Sequence, residues 1–275
     1  MRVSTVCVWM NLCAAGAAGG IVYVNQSANG DGSGVSWADA MTDLSAALAA
    51  AGAGDTVCVS AGVYRPHASL RGASFELADS VVVVGGFVGD ETSIDQQTVD
   101  GRDFDVHTTV LSGDLNDDDT TGGDSTENSY HVLTGSGLSA ATVLDGFTIF
   151  GGNANGSSSN GTGAGLRCMS CSLTVRNAIF YRNSALSNGG GLHTTYGDIT
   201  LESVTFRDNR VAGGTNPQGG GIFSIASVLR VSDGTFVGNR AYWGGGLYSV
   251  NEASAAFFRR AVFERNVASY GAGIA

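Results

Sequence analysis

An acidic loop in the first half of the chain has the residue types that bind a hard cation. Residues 114–119 read DLNDDD, and two further acids follow closely. Oxygen ligands at alternate positions, on Asp114, Asn116 and Asp118, resemble the start of a calcium loop. The sixth position, where such a loop has glycine, is Asp119, and no bidentate glutamate stands at the twelfth. The sequence therefore leaves two interpretations open, a calcium site and a solvated acidic loop.

The other groups that could do chemistry are scattered along the chain. The four histidines occupy separate segments without a metal-binding or triad spacing: His67, His107, His131 and His193. Cys168 and Cys171 form a lone C-x-x-C, whereas a zinc site usually needs a second pair. We therefore expect a buried thiol at Cys168 rather than a metal ligand, and the sequence contains no recognisable catalytic constellation.

Composition narrows the class of protein and its partners. The 275 residues include 42 glycines and only 2 prolines, which is unusual for a globular domain. The formal net charge is -11, and all 14 basic residues are arginine. Because phosphate binding needs a basic surface, we expect no nucleic-acid partner.

Residues 1–20 have the features of a secretory signal. Arg2 precedes an apolar run, and a small-residue segment contains an A-x-A cleavage site at Ala15-Gly16-Ala17. The segment is too short and too interrupted to span a membrane, and we expect no membrane span downstream. The sequence thus predicts a secreted or cell-surface protein, with an uncleaved N-terminus as the alternative.

Four copies of one repeat occupy the second half of the chain. Each copy has a phenylalanine, two variable residues and an asparagine, and then, after a spacer, a glycine-rich triplet and an aliphatic residue. The phenylalanines are 26, 30 and 27 residues apart. The four pairs are Phe180 and Asn183, Phe206 and Asn209, Phe236 and Asn239, and Phe263 and Asn266. A period of this length predicts an architecture in which successive units stack.

The pattern inside each copy predicts short strands. Apolar or small residues stand seven, five, two and zero positions before the phenylalanine, as at Leu173, Val175, Ala178 and Phe180. Spacings of two indicate strands with one buried face, and the single spacing of three, filled by polar residues, indicates a corner. Each copy therefore predicts one coil of a solenoid, with phenylalanines stacked inside and asparagines in a hydrogen-bonded ladder at a turn.

Upstream the repeat becomes irregular. A degenerate copy begins at Leu144, and earlier strand-like runs occur at 56–59, 75–77, 81–87, 109–111, 131–133 and 142–144. Between Ser36 and Ala51 the apolar residues approach helical spacing, Ser36 and Asp39 form a capping-box pattern, and Gly52 follows as a stop. We predict a short helix there that covers the N-terminal end of the solenoid.

Equivalent positions of successive coils form columns, and two columns bear on function. The variable positions after the phenylalanine concentrate no carboxylates, and we expect Arg182 and Asp208 to form a surface salt bridge. The position after each closing Leu or Ile is expected to face outward, and it holds Arg167, His193, Phe223 and Tyr248. Such a column could bind a sugar ring or a partner protein, or it could only stabilise the sheet.

The repeat resembles that of the chlamydial polymorphic outer membrane proteins, which have similar phenylalanine-to-asparagine and Gly-Gly-x-Ile/Leu units. Upstream segments are similar to the N-terminal region of large secreted right-handed β-helix proteins of the pectin-lyase-like superfamily, at 23–25, 36–38, 62–64, 85–87, 111–114, 128–132 and 144–147. The resemblance covers about residues 21–275. It implies a secreted or surface protein, in some relatives an adhesin, on a scaffold that hosts many functions.

These residues and the resemblance predict an all-β protein, a right-handed parallel β-helix with a short N-terminal capping helix. We expect a signal peptide at 1–20, a cap with irregular coils at 21–143, and regular coils at 144–275, where the sequence stops inside a coil. The expected function is a scaffold for adhesion that binds carbohydrate or a cell-surface protein. A polysaccharide lyase or glycoside hydrolase is the alternative, and calcium is the one cofactor considered.

Overall fold

The computed structural model describes residues 19–214 and 216–275, so that the predicted signal peptide lies almost wholly outside the described residues. The described chain is a parallel β-solenoid of about seven turns with two short α-helices. The predicted fold class is confirmed.

The secondary structure consists mainly of short strands. The helices are α1 Leu44–Ala50 and α2 Gln96–Asp100, and a 3-10 turn spans Ser158–Gly161. The strands, in chain order, are β1 Ile21–Val24, β2 Thr56–Ser60, β3 Gly62–Tyr64, β4 Phe75–Glu76, β5 Val82–Phe87, β6 Thr109–Ser112, β7 Leu133–Ser136, β8 Thr142–Asp145, β9 Thr148–Phe150, β10 Asn153–Ala154, β11 Leu166–Met169, β12 Ser172–Tyr181, β13 Ser184–Ala185, β14 Leu192–Thr195, β15 Asp198–Arg207, β16 Arg210–Val211, β17 Ile222–Ile225, β18 Val228–Ser232, β19 Thr235–Val237, β20 Leu247–Val250, β21 Ala255–Arg259 and β22 Val262–Glu264.

These strands form parallel sheets along the stack of coils. The largest has 13 strands, and its main path is β1-β2-β5-β8-β12-β15-β18-β21. A second sheet has the order β4-β7-β11-β14-β17-β20, and a third has β10-β13-β16. Neighbouring strands pair in register, so that Phe206 lies opposite both Phe180 and Phe236. Each position of the repeat therefore meets its own equivalent in the next coil.

Phenylalanine rings form a continuous column inside the regular coils. From Phe180 to Phe263 successive ring centroids are 4.6, 5.2 and 4.5 Å apart, and the rings are parallel to within 5°. Ile149 and Leu111 continue the column in earlier coils. Burial of each ring contributes about 1.5–3 kcal/mol, so that the column is a main source of stability.

The predicted corners are present, and each turns on a residue in the left-handed backbone region. The φ angles lie between 49° and 55° at Asn177, Ser203, Asp233 and Arg260. The glycine triplet meets two further requirements. Gly189 has φ 64°, and a Cβ on Gly190 would lie only 2.5 Å from the carbonyl oxygen of Gly220 in the next coil. Glycine is thus needed first for conformation and then for close approach of coils.

Helix α1 begins later than the sequence predicted. Its N-cap is Asp43, whose carboxylate accepts two backbone N–H groups of the first turn. Ser36 and Asp39 instead hydrogen-bond to each other in a turn ahead of the helix, so the predicted capping box is wrong. The helix packs against β1, β2 and β4, and it buries Leu44, Ala47 and Leu48 in the core.

An asparagine stands at the turn after each phenylalanine. Its side-chain amide hydrogen-bonds to the equivalent asparagine of the next coil, so that the amides form a ladder along the stack. Asn209 is fully buried, and its Nδ2 donates to the Phe180 carbonyl at 2.9 Å and to Asn239 Oδ1 at 3.0 Å. Its Oδ1 accepts from the backbone N–H of Asn183 at 3.1 Å and from Asn183 Nδ2 at 3.0 Å. The amide thus makes all four of its hydrogen bonds. Asn266 receives the corresponding bonds from Asn239.

Replacing Asn209 by alanine should lower the free energy of unfolding by about 2–4 kcal/mol. The change removes four buried hydrogen bonds, including that from the Asn183 N–H, and each buried polar group left without its partner costs about 1–3 kcal/mol. Urea denaturation followed by circular dichroism measures the loss. Asn116→Ala, at an exposed position, is the matched control and should change stability by less than about 0.5 kcal/mol. Equal stability of the two variants would contradict the structural role of the ladder.

Candidate functional site

The acidic loop folds over the coil where the ladder begins. Asp114 is buried, and its carboxylate accepts the backbone N–H groups of Asp118 at 3.2 Å and Asp119 at 3.1 Å. Arg65 Nε fixes the start of the loop by donating to the Asp114 carbonyl at 2.8 Å. Carboxylate oxygens of the three aspartates lie within 4.8 Å of one another. The loop therefore brings together Asp114 and Asp118, as predicted, and adds Asp119, whereas the side chain of Asn116 is exposed.

The electrostatics of this acidic cluster favour a cation. Burial raises the pKa of Asp119, and the charges of Asp114 and Asp118 raise it further. Burial also raises the pKa of Glu127, and the three aspartates add to the effect. Asp118 Oδ1 and Glu127 Oε1 are buried atoms without a hydrogen-bond partner. Oxygen atoms of this kind are the ligands that hard divalent cations prefer, so that the cluster could hold a metal.

Two asparagines attach the acidic loop to the solenoid. Asn128 Nδ2 donates to Asp119 Oδ2 at 2.7 Å and to the Gly151 carbonyl at 2.6 Å. Asn153 Nδ2 donates to the Ser125 carbonyl at 2.6 Å. Asn153 is the asparagine of the degenerate copy, and it stands one position late. That shift takes it out of the ladder and turns it towards the loop.

A polar groove of about 540 Å³ lies between the acidic loop and the following coils. Charged and amide side chains that line it include Asp119, Asn128, Arg182, Asp208 and Arg210. The ion pairs among the described residues do not include a pair between Arg182 and Asp208, so the predicted surface salt bridge is wrong. Both residues have left-handed backbones, with φ 53° and 55°, at the same turn of successive coils. This geometry places them along one groove instead.

The predicted outward column exists, but its aromatic members mainly contact one another. Arg167, His193, Phe223 and Tyr248 are direct partners on successive strands. The His193 and Phe223 rings meet edge to face at 4.9 Å, and Phe223 stacks on Tyr248 at 5.9 Å. Phe223 is only 4% exposed, so it does not offer the expected exposed ring. Binding by this column remains a prediction, and ring stacking already accounts for its aromatic part.

The expected buried thiol at Cys168 is wrong, because Cys168 and Cys171 form a disulfide. Strand β11 ends between them, and Ser170, with φ 55°, turns the chain into β12. This corner brings the two Cα atoms to 5.8 Å. The short C-x-x-C spacing was the one sequence signal for this bond, and the sequence did not predict the corner at Ser170. Cys58 remains a free thiol, and burial raises its pKa to about 12.

Comparisons with known proteins give no relative. No family model matches the sequence, and no curated protein and no solved structure matches the chain. Within the described part of the chain, neither helix has the length and apolar character needed to cross a membrane.

Two imidazoles are held in the neutral form, His193 on β14 of the second sheet and His131 just before β7. Burial lowers the pKa of His193 to about 4, and the charges of Arg167 and His131 contribute. Burial also lowers the pKa of His131, whose Nδ1 lies 3.0 Å from the Gly163 carbonyl. Between pH 6.5 and about 4 the unfolded chain therefore binds a proton at His193 that the folded chain does not. Stability must fall as the pH falls through this window.

Replacing His193 by phenylalanine should reduce the loss of stability between pH 7 and pH 4. Phenylalanine fits a column that already contains Phe223, and it cannot bind the proton that favours the unfolded chain. Urea midpoints of wild type and variant at the two pH values measure the effect, with His107→Phe as the matched control. An unchanged pH dependence in the His193 variant would contradict the neutral assignment.

Proposed function

We propose that this chain is a secreted or cell-surface β-solenoid scaffold that binds a carbohydrate in the groove beside the acidic loop. The observation that carries the proposal is the groove itself, which combines two arginines, two aspartates and an asparagine along successive coils. Saccharide hydroxyls both donate and accept hydrogen bonds, so they suit side chains of both charge signs and amides. A ligand built of repeated rings also suits a surface built of repeated coils.

Two further observations support a location outside the cell. A disulfide such as Cys168–Cys171 persists in oxidising compartments and is rare in the cytosol. The repeat resembles that of surface and secreted proteins of the polymorphic outer membrane and pectin-lyase-like types. These features support a role in adhesion through bound carbohydrate. A cell-surface protein is the alternative ligand to be tested.

We expect loss of carbohydrate binding when the groove is altered. Arg182→Asn and Asp208→Asn remove one charge each, and asparagine tolerates the left-handed backbone at both positions. Each variant should weaken binding of a glycan found by array screening by about tenfold or more, as expected for a lost charged hydrogen bond. Arg265→Asn changes the same repeat position two coils beyond Asp208 and serves as the control. No glycan bound by the wild type, or equal binding by all variants, would contradict the proposal.

The acidic cluster is proposed to bind calcium through Asp114, Asp118 and Asp119, with Glu127 as a neighbouring ligand. Calcium accepts six to eight oxygen ligands in flexible geometry, which suits a loop rich in carboxylates better than the strict octahedron of magnesium does. Because Asp119 also lines the groove, a bound cation would hold one wall of the groove in place.

Calcium at a hundredfold excess over its dissociation constant should raise the melting temperature by about 5–10 °C. Asp118→Asn should abolish this rise, because it removes a ligand charge. Asp117→Asn lies in the same loop, but its carboxylate is 75% exposed and pairs with Arg65, so the rise should persist. Differential scanning calorimetry and calorimetric titration measure both effects, and absence of heat and of any shift in the wild type would remove the calcium site.

A polysaccharide lyase or hydrolase is the second candidate, and one observation favours it. Asp119 and Asp208 line the same groove although they are far apart in sequence, and burial raises the pKa of Asp119 towards that of a proton donor. Release of reducing ends or unsaturated sugars from the bound glycan would establish catalysis. Loss of product formation in both Asp119→Asn and Asp208→Asn would identify the two carboxyl groups as catalytic. Binding of the glycan without product would support the scaffold role instead.

A further inference from the structure

A second polar cluster lies on the sheet that contains β7, β11, β14 and β17, away from the groove. Arg167 on β11 pairs in register with Thr134 on one side and His193 on the other. The backbone of Gly163 lies directly above the pair. A Cβ placed on Gly163 would be 2.9 Å from Arg167 Cβ and 3.0 Å from His193 Cβ. The two side chains thus leave the sheet beside the glycine turn that leads into β11, and the equivalent Gly189 makes the same contact with His193.

Arg71 fixes the start of the segment, Asn153 to Gly163, that leads to this turn. Its Nη2 donates to Asn155 Oδ1 at 2.8 Å and to the Asn153 carbonyl at 3.3 Å, and its guanidinium lies over the Tyr130 ring at 4.4 Å. At the other end of this segment, the Gly163 carbonyl oxygen lies 3.0 Å from His131 Nδ1. The segment from Asn153 to Gly163 is therefore fixed at both of its ends.

On these two side chains, two polar atoms lack partners among the described residues. Arg167 Nε and His193 Nδ1 are both buried and make no hydrogen bond within the protein. Arg167 belongs to none of the ion pairs of the described chain. Its charge lowers the pKa of both His131 and His193, so no imidazolium shares the cluster near pH 7. A buried Nε–H without an acceptor is unfavourable, and a bound oxyanion would supply that acceptor.

The hydrogen bond at Nε2 of His193 determines whether Nδ1 is a hydrogen-bond donor or an acceptor. Its Nε2 lies 3.2 Å from the Thr195 hydroxyl. When that hydroxyl donates to Nε2, the proton of the neutral ring is on Nδ1, which then becomes a donor. Arg167 and His193 would in that case present N–H groups from adjacent strands, an arrangement that matches the oxygens of a carboxylate or sulfate.

We propose that Arg167 and His193 form a binding site for an oxyanion, the carboxylate or sulfate group of an acidic saccharide. Arg167 supplies the charge and His193 Nδ1 a directed hydrogen bond, while Thr195 and Gly163 orient the two side chains. This site is separate from the proposed groove and shares no residue with it. Failure of the groove proposal would therefore not affect this one, and the reverse also holds.

Nuclear magnetic resonance of the histidine side chains tests this site at pH 7 in the wild-type protein. Sodium sulfate is titrated at constant ionic strength against sodium chloride, and a sulfated disaccharide is then compared with its unsulfated counterpart. We expect saturable shifts at His193 and His131, with none at His67 and His107, which lie in other segments. Tighter binding of the sulfated disaccharide than of inorganic sulfate assigns the saccharide as the ligand, and the reverse order assigns a free anion to the same site.

Arg167→Gln should weaken binding of either probe by about tenfold or more, whereas Arg240→Gln, at an exposed arginine of a later coil, should leave it unchanged. Arg167→Lys keeps the charge and should keep part of the affinity. Circular dichroism verifies that each variant folds, and the wild-type titration needs no variant. The proposal is overturned if sulfate shifts all four histidines alike or none, or if folded Arg167→Gln binds as the wild type does.

Discussion

The structure depends on buried side-chain amides that hydrogen-bond to their own equivalents in the next coil. A buried amide with an unmade hydrogen bond is unfavourable by about 1–3 kcal/mol, so that Asn183, Asn209 and Asn239 are tolerated in the core only in strict register. The same register superposes the phenylalanine rings and the left-handed corners. A one-residue slip would move each strand's apolar side chains to the wrong face. Amides therefore fix the alignment of coils, and the stacked rings add buried apolar surface in the same register.

The candidate sites lie where this repetition is interrupted. In the coil before the ladder, the residue at the asparagine position is Gly152, which donates its backbone N–H to Asn183 Oδ1 at 2.9 Å. Among the described residues, no side-chain amide therefore extends the ladder towards the N-terminus. Asn153, displaced by one position, holds the acidic loop instead. The groove lies beside that loop, and the irregular segment 155–163 leads into β11, which contains Arg167. Regular coils thus provide a rigid support, and irregular insertions bring unlike side chains together.

Much of the fold could be predicted from the sequence because a repeat states the same pattern several times. The spacing of Leu173, Val175, Ala178 and Phe180 predicted the strands and the corner. The recurrence of phenylalanine and asparagine at fixed positions predicted the core column and the amide ladder. The start of α1 was missed because Asp43 and the pair Ser36 and Asp39 carry the same local signal. Asp119 was missed as a groove residue because its loop lies outside the repeat, where column analysis does not apply. The Cys168–Cys171 bond was not predicted because the corner at Ser170, which brings the two thiols together, has no counterpart in the repeat pattern.

Exchange of the asparagine side-chain amide protons tests the ladder most directly. In the folded protein, Nδ2 protons of Asn183, Asn209 and Asn239 should exchange with deuterium at least about a hundredfold more slowly than those of exposed Asn116, because exchange requires opening of the coil stack. Their nuclear Overhauser contacts should connect each amide to the next along the stack. Exchange at the rate of Asn116, in a protein that is otherwise folded, would show that the amides are free and would contradict the account.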